Sequence, residues 1–94
     1  MKLNLVFLGS LQYDFGQMNL TDSFDEGSTV KSVVEKLIER PEFEGLKNLF
    51  TSSLDTTRAL IIFINDQDIS VLQGMSSPLK HDDKVTFVPL IHGG

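Results

Sequence analysis

The sequence contains no cysteine and no tryptophan, and it carries little positive charge. Without a thiol, the chain can form no disulfide, bind no metal through thiolates and offer no cysteine nucleophile. Only eight residues are lysine or arginine, and the formal net charge is −5, which argues against nucleic-acid binding through a basic face. No apolar run approaches the roughly 20 residues of a membrane-spanning helix, so we expect neither a membrane segment nor a signal peptide.

The length of 94 residues indicates one small domain, because domains run from about 50 to 250 residues. We expect residues 1–90 to form this domain and residues 91–94 to form a flexible tail. A chain without cysteine or a targeting segment is typical of the interior of the cell. The expected location is the cytoplasm, and the nucleus is left open.

The apolar pattern predicts five strands, at residues 2–8, 17–24, 59–64, 68–72 and 84–90. The first and third are apolar at nearly every position, which predicts strands buried on both faces. The second alternates polar with apolar residues, and the glycines before it predict a hairpin joined by a loop. Pro89 cannot donate a ladder hydrogen bond, so it marks the end of the last strand or an unpaired position.

Residues 28–40 change to a helical period, with apolar residues repeating every three or four positions. Thr29 or Ser28 can cap this helix, and Pro41 ends it at or before Arg40. A shorter, less regular helix is predicted from Phe43 to Phe50. The resulting order, ββαβ(β)β, predicts an α+β fold with a mixed sheet of four to five strands under one main helix, as in the β-grasp arrangement.

No group of side chains has the spacing of a catalytic or metal-binding site. Neither His81 nor His92 has a metal ligand at a suitable spacing, and the glycines form no nucleotide-binding motif. Four glutamates, at positions 35, 39, 42 and 44, are interpreted as a solvated or partner-facing surface. We therefore predict that the chain is not an enzyme and that it holds no catalytic residue, metal or bound cofactor.

The last two residues, Gly93 and Gly94, stand in the short tail that follows the last predicted strand. Residues without a Cβ atom can thread a narrow channel and present the terminal carboxylate to another enzyme. A frayed end without function is the alternative. The hypothesis is that the reactive group of this chain is the carboxylate of Gly94.

Several segments together resemble one known family. They are residues 60–68, residues 80–90, the ending Ile91-His92-Gly93-Gly94, and nearer the start Phe7-Leu8-Gly9 and Thr29-Val30. These segments resemble the ubiquitin-related modifiers, which are β-grasp proteins of about this length that end in His-Gly-Gly. The resemblance is weakest from residue 41 to residue 57. Ile69 is a departure, because the family often has tryptophan there.

The resemblance implies that the chain is a sulfur carrier and also a protein modifier. An E1-like enzyme would adenylate Gly94 with ATP and magnesium, and a sulfur-transfer step would convert the adenylate to a thiocarboxylate. A transfer-RNA thiolase would then use the sulfur to thiolate the wobble uridine. The same activated terminus would form isopeptide bonds with lysines of target proteins. The chain itself would bind neither nucleic acid nor membrane.

The resemblance also implies roles for the residues of the tail. Gly94 would carry the adenylate and the thiocarboxylate, and Gly93 would supply the flexibility needed for threading. His92 is interpreted as a contact for the activating enzyme or as a polar spacer. Ile91 and Leu90 are expected to help dock the tail, although Leu90 can also be the last core residue.

Two other functions remain open from the sequence. The chain can be a dedicated carrier subunit, such as the small subunit of molybdopterin synthase or the thiamine sulfur carrier, which share the fold and the Gly-Gly ending. It can also be a ubiquitin-like interaction domain with an inert tail. Deletion of Gly93 and Gly94 would separate the inert tail from the two reactive ones.

Overall fold

The computed structural model describes residues 1–16 and 19–90. It contains five strands and two α-helices, which are β1 (Lys2–Phe7), α1 (Ser10–Asp14), β2 (Asn19–Ser23), α2 (Val30–Ile38), β3 (Leu60–Ile64), β4 (Gln67–Asp68) and β5 (Lys84–Pro89). Three 3₁₀ segments lie at Pro41–Leu49, Ile69–Val71 and Gly74–Ser76. Within the described ranges, no helix has the length and apolar character needed to cross a membrane.

The strands form one mixed sheet in the order β2-β1-β5-β3-β4. β1 and β5 run parallel side by side, and every other neighbouring pair is antiparallel. The first and last strands are therefore adjacent at the centre of the sheet. This confirms the predicted α+β class and the mixed sheet.

Helix α2 covers one face of the sheet. Thr29 and Ser32 form a reciprocal capping box at its start, in which the Thr29 side chain accepts from the Ser32 N–H at 3.2 Å. Val33, Val34 and Leu37 are buried on the side that faces the core. The chain then leaves the helix before Pro41, because proline disfavours α geometry in the residue before it. The predicted helix is confirmed, with Thr29 as the capping residue.

Four phenylalanine rings fill one end of the core. Phe7 of β1 stacks on Phe87 of β5 at 5.3 Å and on Phe43 of the 3₁₀ segment Pro41–Leu49 at 5.4 Å. Phe15 meets Phe7 and Phe43 edge-on, at 5.1 and 5.0 Å between ring centroids. Such pairs contribute about 0.5–1.5 kcal/mol beyond the area that they bury. The 3₁₀ segment is therefore a part of the core, and it lies where the sequence predicts a short, irregular helix.

Two local predictions are wrong. Residues 9–16 are not only a loop, because helix α1 occupies Ser10–Asp14. The strand expected at residues 68–72 ends at Asp68, whose carboxylate accepts from the Ser70 N–H at 2.9 Å and caps a 3₁₀ turn. This local hydrogen bond competes with strand pairing, and it leaves Val71 73% exposed.

The prediction of full burial on both faces is also wrong for β1 and β3. In each strand the residues directed to α2 are buried, whereas those between them are only half-buried. The second face of the sheet is thus apolar but accessible.

Candidate functional site

The proposed reactive tail begins at the end of β5. Its residues Ile91, His92, Gly93 and Gly94 lie outside the described residues, so their roles and the division of the chain at residue 90 stay predictions. The structure describes the chain up to Leu90, which is 43% exposed. Leu90 is thus not a core residue, and the functional site can be built from its surroundings.

The last two residues before the tail, Pro89 and Leu90, are called the tail root. One side of the tail root is held by β3. The N–H of Leu90 donates to the carbonyl of Ala59 at 2.7 Å, one residue beyond the last β3–β5 pair, Leu60 with Pro89. Ala59 is itself held, because its N–H donates to the hydroxyl of Thr57 at 3.2 Å. These bonds fix the backbone on one side of the tail up to its last described residue.

The other side of the tail root faces the connection from β1 to α1. The N–H of Leu8 donates to the carbonyl of Phe87 at 3.1 Å. Gly9 follows with φ 58° and ψ −137°, a combination open only to glycine. Gly9 lies directly beside Pro89, and a Cβ atom at Gly9 would stand 3.2 Å from the Cγ atom of Pro89. Both neighbours of β5 therefore shape the point where the tail leaves the sheet.

The same strand also leads onto an apolar surface. Side chains alternate between the two faces of a strand, so the residues between the core positions of β1, β3 and β5 share the face away from α2. We call this surface the open face, and its central residues are Val6, Leu8, Ile61, Phe63, Thr86 and Val88.

Thr86 lies at the centre of the open face. It pairs with Val6 of β1 on one side and with Phe63 of β3 on the other, and it is 9% exposed. A shallow depression of about 280 Å³ beside it is lined by Phe63, Val88 and five further residues. By strand alternation Leu90 points to this same face, so the apolar surface continues to the start of the tail.

The polar candidates from the sequence, His81 and the four glutamates, are exposed in the structure. His81 is exposed, and its Nδ1 atom accepts from the Lys2 N–H at 2.9 Å, which ties the turn before β5 to β1. The glutamates at positions 35, 39, 42 and 44 are all exposed. Within residues 1–16 and 19–90, no three histidine or acidic side chains are grouped so that they could hold a metal ion. The chemistry of the described part thus consists of an apolar face that ends at an anchored tail root.

The comparison with protein families decides which kind of protein this is. The family Urm1, described as ubiquitin related modifier, matches residues 2–94. The chain belongs to this family. The match includes the four tail residues, and the family predicted from the sequence is confirmed. No curated protein matches the chain.

Solved structures confirm the β-grasp fold of this ubiquitin-related modifier. SAMP1 from Haloferax volcanii superimposes with a TM-score of 0.80 at 15% identity, over 100% of both chains. The Haloferax volcanii HVO 2177 protein superimposes with a TM-score of 0.83 at 24% identity, over 100% of this chain and 87% of that one. A chain of the BexX/CysO complex from Amycolatopsis orientalis superimposes with a TM-score of 0.76 at 20% identity, over 98% of this chain and 99% of that one.

The turn Ile64-Asn65-Asp66, part of the family resemblance, has a structural role in this modifier. Asn65 adopts a φ of 56°, and its side-chain oxygen accepts from the Lys84 N–H at 3.0 Å. Its amide group donates to the carboxylate of Asp83 at 3.1 Å. The motif therefore ties the β3–β4 turn to the start of β5, at the opposite end of that strand from the tail.

Reasoning from the sequence missed the open face and the contact between Gly9 and Pro89. A signal for the open face was present, since β3 is apolar on both faces and β1 adds Val6 beside the polar Lys2 and Asn4, while only one main helix is predicted. One helix covers one face of a sheet, so the second apolar face of this modifier is available to a partner.

Proposed function

We propose that this ubiquitin-related modifier is a sulfur carrier and protein modifier, activated at the carboxylate of Gly94 by an E1-like enzyme. The chain acts as the substrate in these reactions, and the partner enzyme supplies the catalytic groups. The observation that carries the proposal is the match of the family to residues 2–94, a range that includes the His-Gly-Gly ending of the sequence. The cytoplasm is the proposed location.

The proposed chemistry needs little from the chain itself. A carboxylate is a poor acyl donor until its oxygen belongs to a good leaving group, and the enzyme provides AMP as that group from ATP and magnesium. Hydrosulfide from a sulfur donor then attacks the carbonyl carbon, the bond to AMP breaks, and a thiocarboxylate and a proton are left, with AMP as the leaving group. Because no cysteine is present, no thiol of this chain can attack the activated carbonyl carbon.

We propose that the open face docks the activating enzyme. Its apolar centre, from Val6 across Thr86 to Phe63, lies on the same side of the sheet as Leu90. An enzyme bound there receives the tail from the adjoining end of β5. His92 and Ile91 then make the first tail contacts, and Gly93 passes through the narrow part of the channel.

Two uses of the activated terminus belong to the proposal. In the first, a transfer-RNA thiolase takes the sulfur for the wobble uridine, so the chain contacts no RNA itself. In the second, the terminus acylates lysines of target proteins. The net charge of −5 supports the proposal that the chain itself contacts no RNA, because RNA binding usually requires a broad basic face.

Complementation tests the carrier function in the cell. A strain that lacks the modifier for wobble-uridine thiolation would receive the intact chain or the chain without Gly94. We expect the intact chain to restore the 2-thio modification, measured in digested transfer RNA, and the shortened chain to restore none. Restoration by the shortened chain, detected as stable protein, would overturn the proposal.

A dedicated cofactor-synthesis carrier is the alternative outcome. Such a carrier binds one synthase and leaves no adducts on other proteins. A tagged intact chain expressed in the complemented strain would be searched by mass spectrometry for Gly94 linked to lysine side chains. Adducts on several proteins would support the modifier function, whereas thiocarboxylate on Gly94 without adducts would restrict the chain to the carrier role.

A further inference from the structure

We infer that Gly9 is a positioning residue for the activation of Gly94, because its contact with Pro89 sets the direction in which the tail leaves the sheet. This inference rests on the proposed function, since it concerns delivery of the same carboxylate. Gly9 lies in the connection between β1 and α1, 85 positions before the reacting group in the sequence. Only the fold brings it to the tail root.

The hydrogen-bond pattern of β5 explains why a packing contact is needed there. Along a strand, successive N–H groups point to opposite neighbours. The N–H of Leu90 points to β3, where it donates to Ala59, so position 89 faces β1. Pro89 has no N–H to donate. The last hydrogen bond between the β1 and β5 sides at this end is therefore the one that the Leu8 N–H donates to the Phe87 carbonyl. The tail root is therefore bonded on one side and packed on the other.

On that side the backbone of Gly9 lies so close to the Pro89 ring that there is no room for a side chain. A Cβ atom at Gly9 would lie 3.2 Å from Cγ and 3.6 Å from Cδ of Pro89. The ring would have to move by a few tenths of an ångström to accept even alanine. At Gly27, which also has a positive φ, of 83°, an added Cβ atom meets nothing within 4 Å. The restriction at Gly9 thus has two parts, its backbone conformation and its neighbour.

A shift of Pro89 matters because few residues separate it from the proposed reactive carboxylate of Gly94. Four residues follow Leu90, and four extended residues span at most about 14 Å. In the proposed reaction a Gly94 carboxylate oxygen bonds to the α-phosphorus of magnesium-bound ATP, and the bond to pyrophosphate breaks. A tail held extended in a channel has little slack, so a displaced root displaces the attacking oxygen.

The test measures ATP–pyrophosphate exchange by the cognate E1-like enzyme, with the full chain as the varied substrate. We expect Gly9→Ala to lower kcat roughly three- to tenfold, because misplacement of about 1 Å costs up to about 100-fold. The KM should stay within about twofold, because the open face is intact. Gly27→Ala is the matched control, since it adds the same methyl group at a positive φ and should leave both parameters unchanged.

Pro89→Ala supplies the second arm and introduces no strained backbone. Removal of the Cγ and Cδ atoms of Pro89 leaves a gap beside Gly9, so kcat should fall while KM stays unchanged. In the double variant Gly9→Ala/Pro89→Ala the ring no longer opposes the added Cβ atom, so the combined loss of kcat should be smaller than the product of the two single losses, although the backbone strain of alanine at position 9 remains. A purely structural role for Gly9 would instead make the two losses multiply, and melting temperatures of all variants would show whether folding accounts for them.

The outcomes separate this inference from the proposed function. If the wild-type chain supports no exchange, or the chain without Gly94 supports as much, the proposed function is overturned and the inference falls with it. If the wild-type chain is active and Gly9→Ala matches Gly27→Ala, only the inference is overturned. The inference is also overturned if the loss of kcat in the double variant equals the product of the two single losses. If Gly9→Ala does not fold, an unchanged kcat for Pro89→Ala overturns the inference.

Discussion

Asn65 combines an unusual backbone conformation with two side-chain hydrogen bonds. Its φ of 56° lies in the left-handed region, which asparagine tolerates better than other residues with a Cβ atom. Its side chain bonds Lys84 and Asp83 across the turn. The residue is thus explained by the anchoring of β5, and no contact to the tail is needed.

Two substitutions at Asn65 should separate these effects. Asn65→Gly keeps the left-handed conformation and loses both bonds, so it should cost about 1–2 kcal/mol. Asn65→Ala should cost about 1 kcal/mol more, because alanine is strained at a positive φ. Urea unfolding measures both values. Equal stability of the two variants would show that the backbone conformation carries no energetic cost.

The start of α2 offers a test between neighbouring residues. The sequence left Ser28 and Thr29 as alternative caps, and the structure selects Thr29. Thr29→Ala should lower the free energy of unfolding by about 1 kcal/mol. Ser28→Ala should cost less, since its hydroxyl donates to the Asp25 carbonyl and caps no helix N–H. The reverse order in thermal or urea unfolding would place the cap at Ser28.

Among the elements, those with a long regular pattern could be predicted and those set by local competition could not. Helix α2 has a capping residue and a continuous 3.6-residue period, which together specify it. Helix α1 is five residues long and buries only Leu11, so it carries no periodic signal. The strand expected at residues 68–72 ends at Asp68, because the Asp68 side chain caps a 3₁₀ turn there.

The candidate site divides in the same way. The tail is a local motif and could be identified from the sequence, although its structure lies outside the described residues. Within a single strand the open face gives the same apolar pattern as a buried face, so the only signal for it was that one main helix is predicted for a sheet with apolar residues on both sides. The Gly9–Pro89 contact depends on β1 and β5 being neighbours, which no local pattern reports.

The 3₁₀ segment Pro41–Leu49 should behave as a core element despite its irregular sequence. Leu46 is fully buried, so Leu46→Ala should cost about 2–5 kcal/mol. Its exposed neighbour Lys47 gives the matched control, and Lys47→Ala should change the free energy of unfolding by less than about 0.5 kcal/mol. Similar values in denaturant unfolding would indicate that this segment packs only loosely on the sheet.

The open face should contribute to partner binding more than to folding. Phe63→Thr keeps a residue that favours strands and removes apolar surface that is only half-buried. We expect a rise in KM of about tenfold for adenylation by the E1-like enzyme, with a loss of stability below that of Leu46→Ala. The control Lys31→Ala, on the exposed side of α2, should leave KM unchanged. An unchanged KM for Phe63→Thr would place the docking surface elsewhere.

At the scale of the whole molecule, the chain separates its tasks in space. One face of the sheet and α2 form the core, the other face is left apolar and accessible, and β5 connects both to the tail. Small size and the lack of cysteine first indicated that the chain has no catalytic centre. In the proposed carrier function, the reactive group is the carboxylate of Gly94.

The most direct test of this account is the intact mass of the chain after reaction with the cognate E1-like enzyme, ATP, magnesium and a sulfur donor. The account predicts a gain equal to one exchange of oxygen for sulfur, located at Gly94 by fragmentation. The chain lacking Gly93 and Gly94 should show no gain in mass after the same reaction, and its melting temperature should equal that of the intact chain. An unchanged mass of the folded intact chain, or a gain located at any other residue, would contradict the account.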